Sequence, residues 1–312
     1  MTTLTPCPSC ASHNTRKVGP ISGAYLFASH NLDEILDGGS LYACSNCHLN
    51  FRFPLPSREK LNELYRTSSI DHWQYEESKR FDWSATKKWL DKLHEGGSLL
   101  DVGCYDGAFS EVLDDRWQMA GIEINEEAIQ IASKRGVQIV AEDLSDLTSV
   151  HEDAGLNQYD ATVAFDVIEH VPDPQKLLKD MMQVTRPGGT LIVATGNRDA
   201  LSWKLMGSSY WYCTIPEHLA FISTSWCKTV AQTLNLELLH IETYSHEQNR
   251  TLKLTLKELT SNLLFRFSPG LFARLRRAGF GDKDTDTFDE LAYYPPTWTT
   301  AKDHLIAIFR KG

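Results

Sequence analysis

No apolar run in this chain approaches the ~18 residues that a membrane-crossing helix requires, so an integral helical membrane protein is excluded. The opening residues, Met1-Thr2-Thr3-Leu4-Thr5-Pro6, have neither a basic start nor an apolar core, so no secretory signal is read there and a cytoplasmic setting is expected. Positive charge is scarce. Against 31 Lys and Arg stand 41 Asp and Glu, a formal net charge of −10, which argues against extensive nonspecific binding to nucleic acid. The nicotinamide-dinucleotide fingerprint is missing as well: the places of its three glycines hold Asp101, Gly103 and Asp106. The residues present, 42% hydrophobic and 23% charged over 312 positions, suit an ordered globular chain with one large domain and additions, or two domains.

Seven cysteines is an odd number, and four of them form two pairs at metal-ligand spacing. Without a secretory start, that pattern favours a metal over disulfides. Cys7-Pro8-Ser9-Cys10 and Cys44-Ser45-Asn46-Cys47 supply four thiolates, the tetrahedral shell that structural Zn2+ prefers. Runs of strand character, Ser40 to Ala43 and Leu49 to Phe53, flank the second pair and predict a ribbon hairpin with little core of its own. Zinc knuckles often carry glycine after the second cysteine, whereas this chain has Ala11 and His48. Cys104, Cys213 and Cys227 are scattered and read as small buried side chains.

Beyond the ribbon, the chain is organised around the stretch Leu99-Leu100-Asp101-Val102-Gly103-Cys104-Tyr105-Asp106-Gly107. It reads as a buried strand that breaks into a glycine turn, after which Ala108 to Leu113 continues with helical spacing. Ligands bind at the carboxyl ends of strands in open α/β sheets, and glycines there let a ligand approach the backbone. Met119 to Ile124 is the next expected strand, and Glu123 stands 20 positions after Gly103, the spacing at which a carboxylate accepts from ribose hydroxyls. Further strands are expected at 137–141, 161–165, 190–194, 236–244 and 304–309. The helices between them start at Asn125, at Asp173 with Pro174, and at Ser223 or Thr224. Asp143 reads either as an acceptor for an adenine amino group beside the Leu144 amide or as a solvated loop carboxylate. Trp73 and Tyr75 either cover a cationic ligand group with their ring faces or simply pack.

Asp101-x-Gly103-x-x-x-Gly107, Glu123, Glu169-His170 and Arg186-Pro187-Gly188-Gly189 together resemble class I S-adenosylmethionine (SAM) methyltransferases over roughly residues 80 to 245. Cys44-x-x-Cys47 with Phe51-x-x-Pro54-x-Pro56-Ser57 and Leu64-Tyr65 looks like the bacterial methyltransferases with an N-terminal zinc ribbon that act in sugar and surface-polysaccharide biosynthesis. The resemblance implies an α/β fold: a Rossmann-like, seven-stranded, doubly wound sheet with a reversed last strand, plus the zinc ribbon and a helical insertion. It implies a ribbon over 1–56, a SAM-binding domain over 57–245 completed by 301–312, and an insertion or lid over 246–300. SAM would then meet Asp101, Gly103, Cys104 and Gly107 at the turn, Glu123 and Ile124 at the ribose, Asp143 and Leu144 at the adenine, and Phe165 at the end of the fourth strand. Zn2+ would sit on Cys7, Cys10, Cys44 and Cys47.

The resemblance leaves the acceptor open between carbon and oxygen on small molecules, with a sugar nucleotide or polysaccharide precursor as the expected class. The segment Tyr210-Trp211-Tyr212 followed by Pro216-Glu217-His218-Leu219 lies beyond the fifth strand, where the fold places acceptors. His218 is the expected base for an oxygen acceptor, with Glu217 or Glu169 orienting it and His170 as the other candidate. From Arg250 to Arg277 seven basic residues stand against Glu258 alone, a net +6, read either as a basic face for an acceptor phosphate or anionic membrane surface, or as a solvated helix face. Two other functions remain in play: a zinc-ribbon RNA methyltransferase, and a SAM-binding protein without catalysis.

Overall fold

A computed structural model of the chain describes residues 5–28, 30–66, 80–149, 158–248, 250–279 and 294–312. Trp73 and Tyr75, read above either as a cover for a cationic group or as packing, lie outside the described residues. The N-terminal part holds β1 (Thr15–Pro20), β2 (Ala24–Phe27), β3 (His30–Leu36), β4 (Ser40–Cys44) and β5 (Asn50–Phe53). Among the described residues β2 and β3 pair only with each other, as a hairpin that the sequence pattern did not reveal. The other three strands form one antiparallel sheet in the order β1-β4-β5. After them comes α1 (Arg58–Arg66), whose first turn is capped by the Ser57 hydroxyl accepting from Lys60 N at 3.2 Å.

The larger part begins with α2 (Phe81–Leu93) and β6 (Gly97–Val102). It continues through β7 (Trp117–Ile122), α3 (Glu126–Lys134), β8 (Gln138–Ala141), α4 (Leu144–Ser149), β9 (Tyr159–Phe165), α5 (Pro174–Val184) and β10 (Thr185–Gly196). Then come α6 (Leu201–Met206), α7 (Trp211–Thr214), β11 (Ala220–Phe221), α8 (Thr224–Leu234), β12 (Leu236–Tyr244), α9 (Leu252–Phe267), α10 (Pro269–Arg277) and β13 (His304–Lys311). Seven strands form a sheet in the order β12-β13-β10-β9-β6-β7-β8, with β13 antiparallel to both neighbours. This is the Rossmann-like, seven-stranded sheet with a reversed last strand that the sequence resemblance implies. Apolar runs such as Leu191-Ile192-Val193-Ala194, all fully buried, mark strands covered on both faces. No helix among the described residues is long and apolar enough to cross a membrane.

Local chemistry accounts for the helix starts. Asn125 accepts from Glu127 N and Ala128 N, Asp173 accepts from Gln175 N and Lys176 N with Pro174 at the first helical position, and Ser223 accepts from Trp226 N. One expectation fails. Ala108 to Leu113 is not an α-helix but a single 3-10 helix over Ala108–Val112. Its five residues leave room for little more than one turn, and Asp114 then closes a turn with Trp117 N at 3.1 Å that opens β7.

The two sheets are joined rather than strung on a linker. β11, from the larger part, pairs antiparallel with β5 and extends the N-terminal sheet. Cys7, Cys44, Cys47, Leu49 and Phe51 share one apolar cluster with Ile222, Trp226 and Cys227. At this seam Arg52 is 2% exposed, and its guanidinium donates to His218 O at 3.1 Å and to Cys213 O and Ile215 O at 2.9 Å. Three carbonyls of a helix end and its following loop are satisfied by one side chain. Arg52→Met should therefore strand buried acceptors and lower the unfolding free energy by about 3 kcal/mol. Urea denaturation should show that loss, and an unchanged midpoint would mean water replaces the guanidinium.

Candidate active site

The site is built where β6, β7, β8 and β9 end together. β6 runs into Gly103, whose φ of +71° is left-handed, and a Cβ there would lie 2.6 Å from Val167 Cγ2. Only glycine lets this turn pass under the loop that comes after β9. Gly107 also has a left-handed φ, +75°, but its missing Cβ faces Ala132 at 3.0 Å and Val137 at 2.9 Å. It serves the packing of α3 against the turn and is not on the cavity wall.

A cavity of about 560 Å³ opens over these strand ends. Of the residues expected to hold a cofactor, Asp101, Gly103, Cys104, Glu123, Ile124, Asp143, Leu144 and Phe165 all line it. Glu123 is fixed by three backbone donors: Oε2 accepts from Tyr105 N, and Oε1 from Ile124 N and Asn125 N, each at 2.9 Å. Burial nevertheless pushes its carboxyl above the ordinary range, with the three N–H groups opposing. Asp143 accepts from Ser145 N at 2.8 Å and Ser145 Oγ at 2.6 Å at the start of α4.

Asp101 is 2% exposed and its Oδ1 has no hydrogen-bond partner. Burial, then the neighbouring Glu123 charge, raises its carboxyl to about 8, with Arg80 opposing. Arg80 escaped notice in the sequence. Its guanidinium lies 5.1 Å from the Trp83 ring centroid, pairs with Asp82, and reaches Asp166 at 2.8 Å across the cavity wall. Burial works to raise the Asp166 carboxyl, but Arg80 and His304 outweigh it and hold that group below the ordinary range. No local motif marks Arg80, because its partner is 86 positions away in sequence.

At the far end stand the histidines. His170 lines the cavity, with Nδ1 at 2.6 Å from the hydroxyl of Tyr65, a motif residue whose place in the site the sequence did not reveal. His218 packs behind it, the ring centroids 4.9 Å apart and nearly perpendicular. His218 is 5% exposed and is not on the wall. Its Nδ1 lies 2.9 Å from Tyr212 O. A carbonyl only accepts, so Nδ1 carries the proton of the neutral ring and Nε2 is left as an acceptor. Burial, then His170, pushes its pKa well below the usual value. Glu217, expected to orient acceptor or imidazole, points elsewhere: its carboxylate accepts from Ala28 N in the N-terminal part. Glu169 takes the nearer place. Its Oε1 accepts from Tyr212 Oη at 2.6 Å, Oε2 has no partner, and burial, then Asp166, raises its carboxyl to about 7.

The four paired cysteines converge with all four sulfurs within 4.8 Å of one another, and Cys7–Cys47 and Cys10–Cys44 at 3.6 Å. A tetrahedron with Zn–S bonds of ~2.3 Å has edges of about 3.8 Å, so these thiols fit a four-sulfur shell. Ala11 and His48, where glycine was looked for, take left-handed φ values of 56° and 65°.

The chain has known relatives. A family model described as a methyltransferase domain matches residues 70–241. The ubiquinone biosynthesis O-methyltransferase of Pectobacterium atrosepticum is 28% identical over 126 residues, 39% of this chain and 52% of that protein. The chain thus spans about half the length of that relative. The enzyme of the same name from Escherichia coli O7:K1 is 26% identical over 181 residues, 49% of this chain and 74% of its own. Among solved structures, the N-methyltransferase NodS from Bradyrhizobium japonicum WM9 in complex with S-adenosyl-l-homocysteine matches with a TM-score of 0.45 and 16% identity, covering 81% of this chain and 97% of that one.

The buried carboxyl of Asp101 has a consequence for the ligand-free protein. A group that titrates near 3.9 unfolded and about 8 folded binds its proton more tightly in the native state. Its stabilising contribution is complete at acid pH and is lost as pH rises through that window, at up to about 1.4 kcal/mol per unit. Stability curves of wild type and Asp101→Asn, measured by urea denaturation from pH 5 to 9, should diverge in the variant's favour up to about pH 8. Parallel curves would show that Asp101 is ionised throughout.

Proposed function

The chain belongs to the methyltransferase-domain family, and from that premise we propose that it moves the methyl group of SAM to a hydroxyl of a small, glycan-type acceptor. The observation that carries the SAM assignment is Asp101: a buried carboxylate on the cavity wall with one oxygen unpartnered fits an ammonium group, as the amino-acid end of SAM presents. Glu123, immobilised by three backbone donors, keeps lone pairs for ribose hydroxyls. Ile124 and Leu144 offer the adenine an apolar slot with Asp143 at its edge. Names of the bacterial relatives support oxygen as the atom methylated. The ribbon ahead of the domain supports the glycan class.

In the step proposed, the acceptor oxygen forms its bond to the methyl carbon as the sulfur–methyl bond breaks, S-adenosylhomocysteine leaves, and the hydroxyl proton passes to a base. His170, on the wall, meets the acceptor. His218 stands behind it with an unprotonated Nε2, held in that tautomer by Tyr212 O, while Tyr212 is itself tied to Glu169. His170 is therefore the histidine that can take the hydroxyl proton directly, and His218, buried behind it, holds its ring in place. His170→Ala and His218→Ala should each lower turnover by roughly a hundredfold while leaving SAM affinity within about twofold. Release of S-adenosylhomocysteine with a panel of sugar nucleotides, set beside ubiquinone precursors, tests both acceptor and residues. Full turnover in both variants would remove the histidines from the chemistry, and turnover with the precursors alone would replace the glycan reading.

Zn2+ on Cys7, Cys10, Cys44 and Cys47 is proposed in a structural role, because four thiolates leave no open position for chemistry. Ser9, between the first pair, contacts Gln175 of α5 at 3.4 Å and accepts from Trp226 of α8 at 3.3 Å. Metal analysis should find one zinc per chain. Its removal should lower thermal stability, and freely titratable thiols in metal-free protein of native stability would end the assignment.

A further inference from the structure

Helix α9 buries polar side chains deepest, while Leu259 and Phe265 pack partly against the core. Its deeply buried side chains are Glu258 and Asn262, while Leu252 is 77% exposed and Leu256, one turn on, is 50% exposed. The inward acid is fully employed: its two oxygens accept from the backbone and hydroxyls of Thr299 and Thr300, and Asn262 donates to Thr297 O. These polar anchors fix the helix with its leucines outward. Its end and the next helix continue the pattern, Phe267 being 80% and Leu271 50% exposed. α9 packs against both α10 and α6, and on α6 Leu201 and Leu205 are 68% and 42% exposed.

Six of the nine exposed large hydrophobic side chains among the described residues therefore belong to this one helical layer. The charges on it are equally one-sided. Lys204, Lys253, Arg266 and Arg274 are exposed there, and Glu258, the one acid in these three helices, is buried. In a protein of net charge −10, such a layer runs against the average in both polarity and sign. α6 comes after β10 and α9 after β12, parallel strands whose carboxyl ends lie on the edge that carries the cavity.

We propose that the outer face of α6, α9 and α10 docks on an anionic lipid bilayer, with Leu252, Leu256 and Phe267 entering the acyl boundary and Lys204, Lys253, Arg266 and Arg274 meeting headgroups. Apolar side chains bordered by cations alone match the chemistry of that interface, where leucine and phenylalanine leave water and lysine and arginine find phosphate. A soluble nucleic acid would meet the cations but leave the leucines wet. Docking is independent of the acceptor's identity, and it sets the cavity edge toward the surface.

Sedimentation of the full chain with vesicles tests this. Binding is expected to phosphatidylglycerol-containing vesicles, to fall steeply between low and physiological salt, and to be absent with pure phosphatidylcholine. Leu252→Ser with Phe267→Ser, and separately Lys253→Glu with Arg274→Glu, should each weaken it at least tenfold while SAM affinity and thermal stability stay at wild-type values. Failure to sediment with anionic vesicles overturns the proposal. So does a dimer in analytical ultracentrifugation that the serine variant dissociates, which would assign the face to a second copy, and so does salt-sensitive retention of RNA without vesicle binding.

Discussion

Carboxylates crowd the edge of the sheet. Asp101, Glu123, Asp166 and Glu169 come together over the strand ends with the guanidinium of Arg80 among them. Charge of one sign, taken out of water, either neutralises or acquires a counterion. Both outcomes are visible. Asp166 has Arg80 and is held ionised, whereas Asp101 and Glu169 are pushed toward their neutral forms by burial and by their acidic neighbours. A ligand with positive charge at the Asp101 end completes what the protein leaves incomplete. By charge balance, the free site favours a positive group over a negative one at the Asp101 end.

The N-terminal sheet is bound to the same edge. The loop from Cys213 to Phe221 carries His218 toward the cavity end, and the N-terminal part holds it at three places. Arg52 takes three of its carbonyls, Glu217 reaches across to Ala28 N, and β11 is a strand of the N-terminal sheet. Loops carrying functional groups need rigid support, since misplacement of about 1 Å is costly to orientation. Here that support comes from the sheet that bears the four cysteines. Folding of the ribbon and positioning of His218 are one mechanical problem, because their shared surface is buried.

Much of this was legible in the residues. Strand boundaries tracked apolar runs, with Leu236–Tyr244 read to the residue, and helix starts fell at Asn125, Asp173 and Ser223 because a side-chain cap is a local interaction. The glycine turn and Glu123, picked out by spacing, both lie on the cavity wall at the strand ends. The hidden contacts depended on distance along the chain. Arg80 takes its role through Asp166, Tyr65 through His170, and Arg52 through a loop more than 160 positions later. Gly103 and Gly107 looked alike in sequence, yet one faces the loop after β9 and the other faces α3. A motif marks a turn, and only the packed neighbours tell which glycine makes room for a loop and which for a helix.

The insertion shows the same limit from the other side. A net +6 could be read from Arg250 to Arg277, but charge alone does not separate a solvated face from a binding one. The hydrophobic pattern was no better guide, because Leu252, Leu256, Leu259 and Leu263 fall on one stripe of α9 that by itself reads as an inward face. The decision is made by Glu258. Its carboxylate takes four donors from Thr299 and Thr300, and a buried acid with that many partners pins the helix rotation about its axis. Once that rotation is set, Leu252 and Leu256 have nowhere to go but outward. Exposure of the apolar row is thus a consequence of a polar anchor chosen over an apolar one, and it persists in water only because the anchor outweighs the leucines left wet.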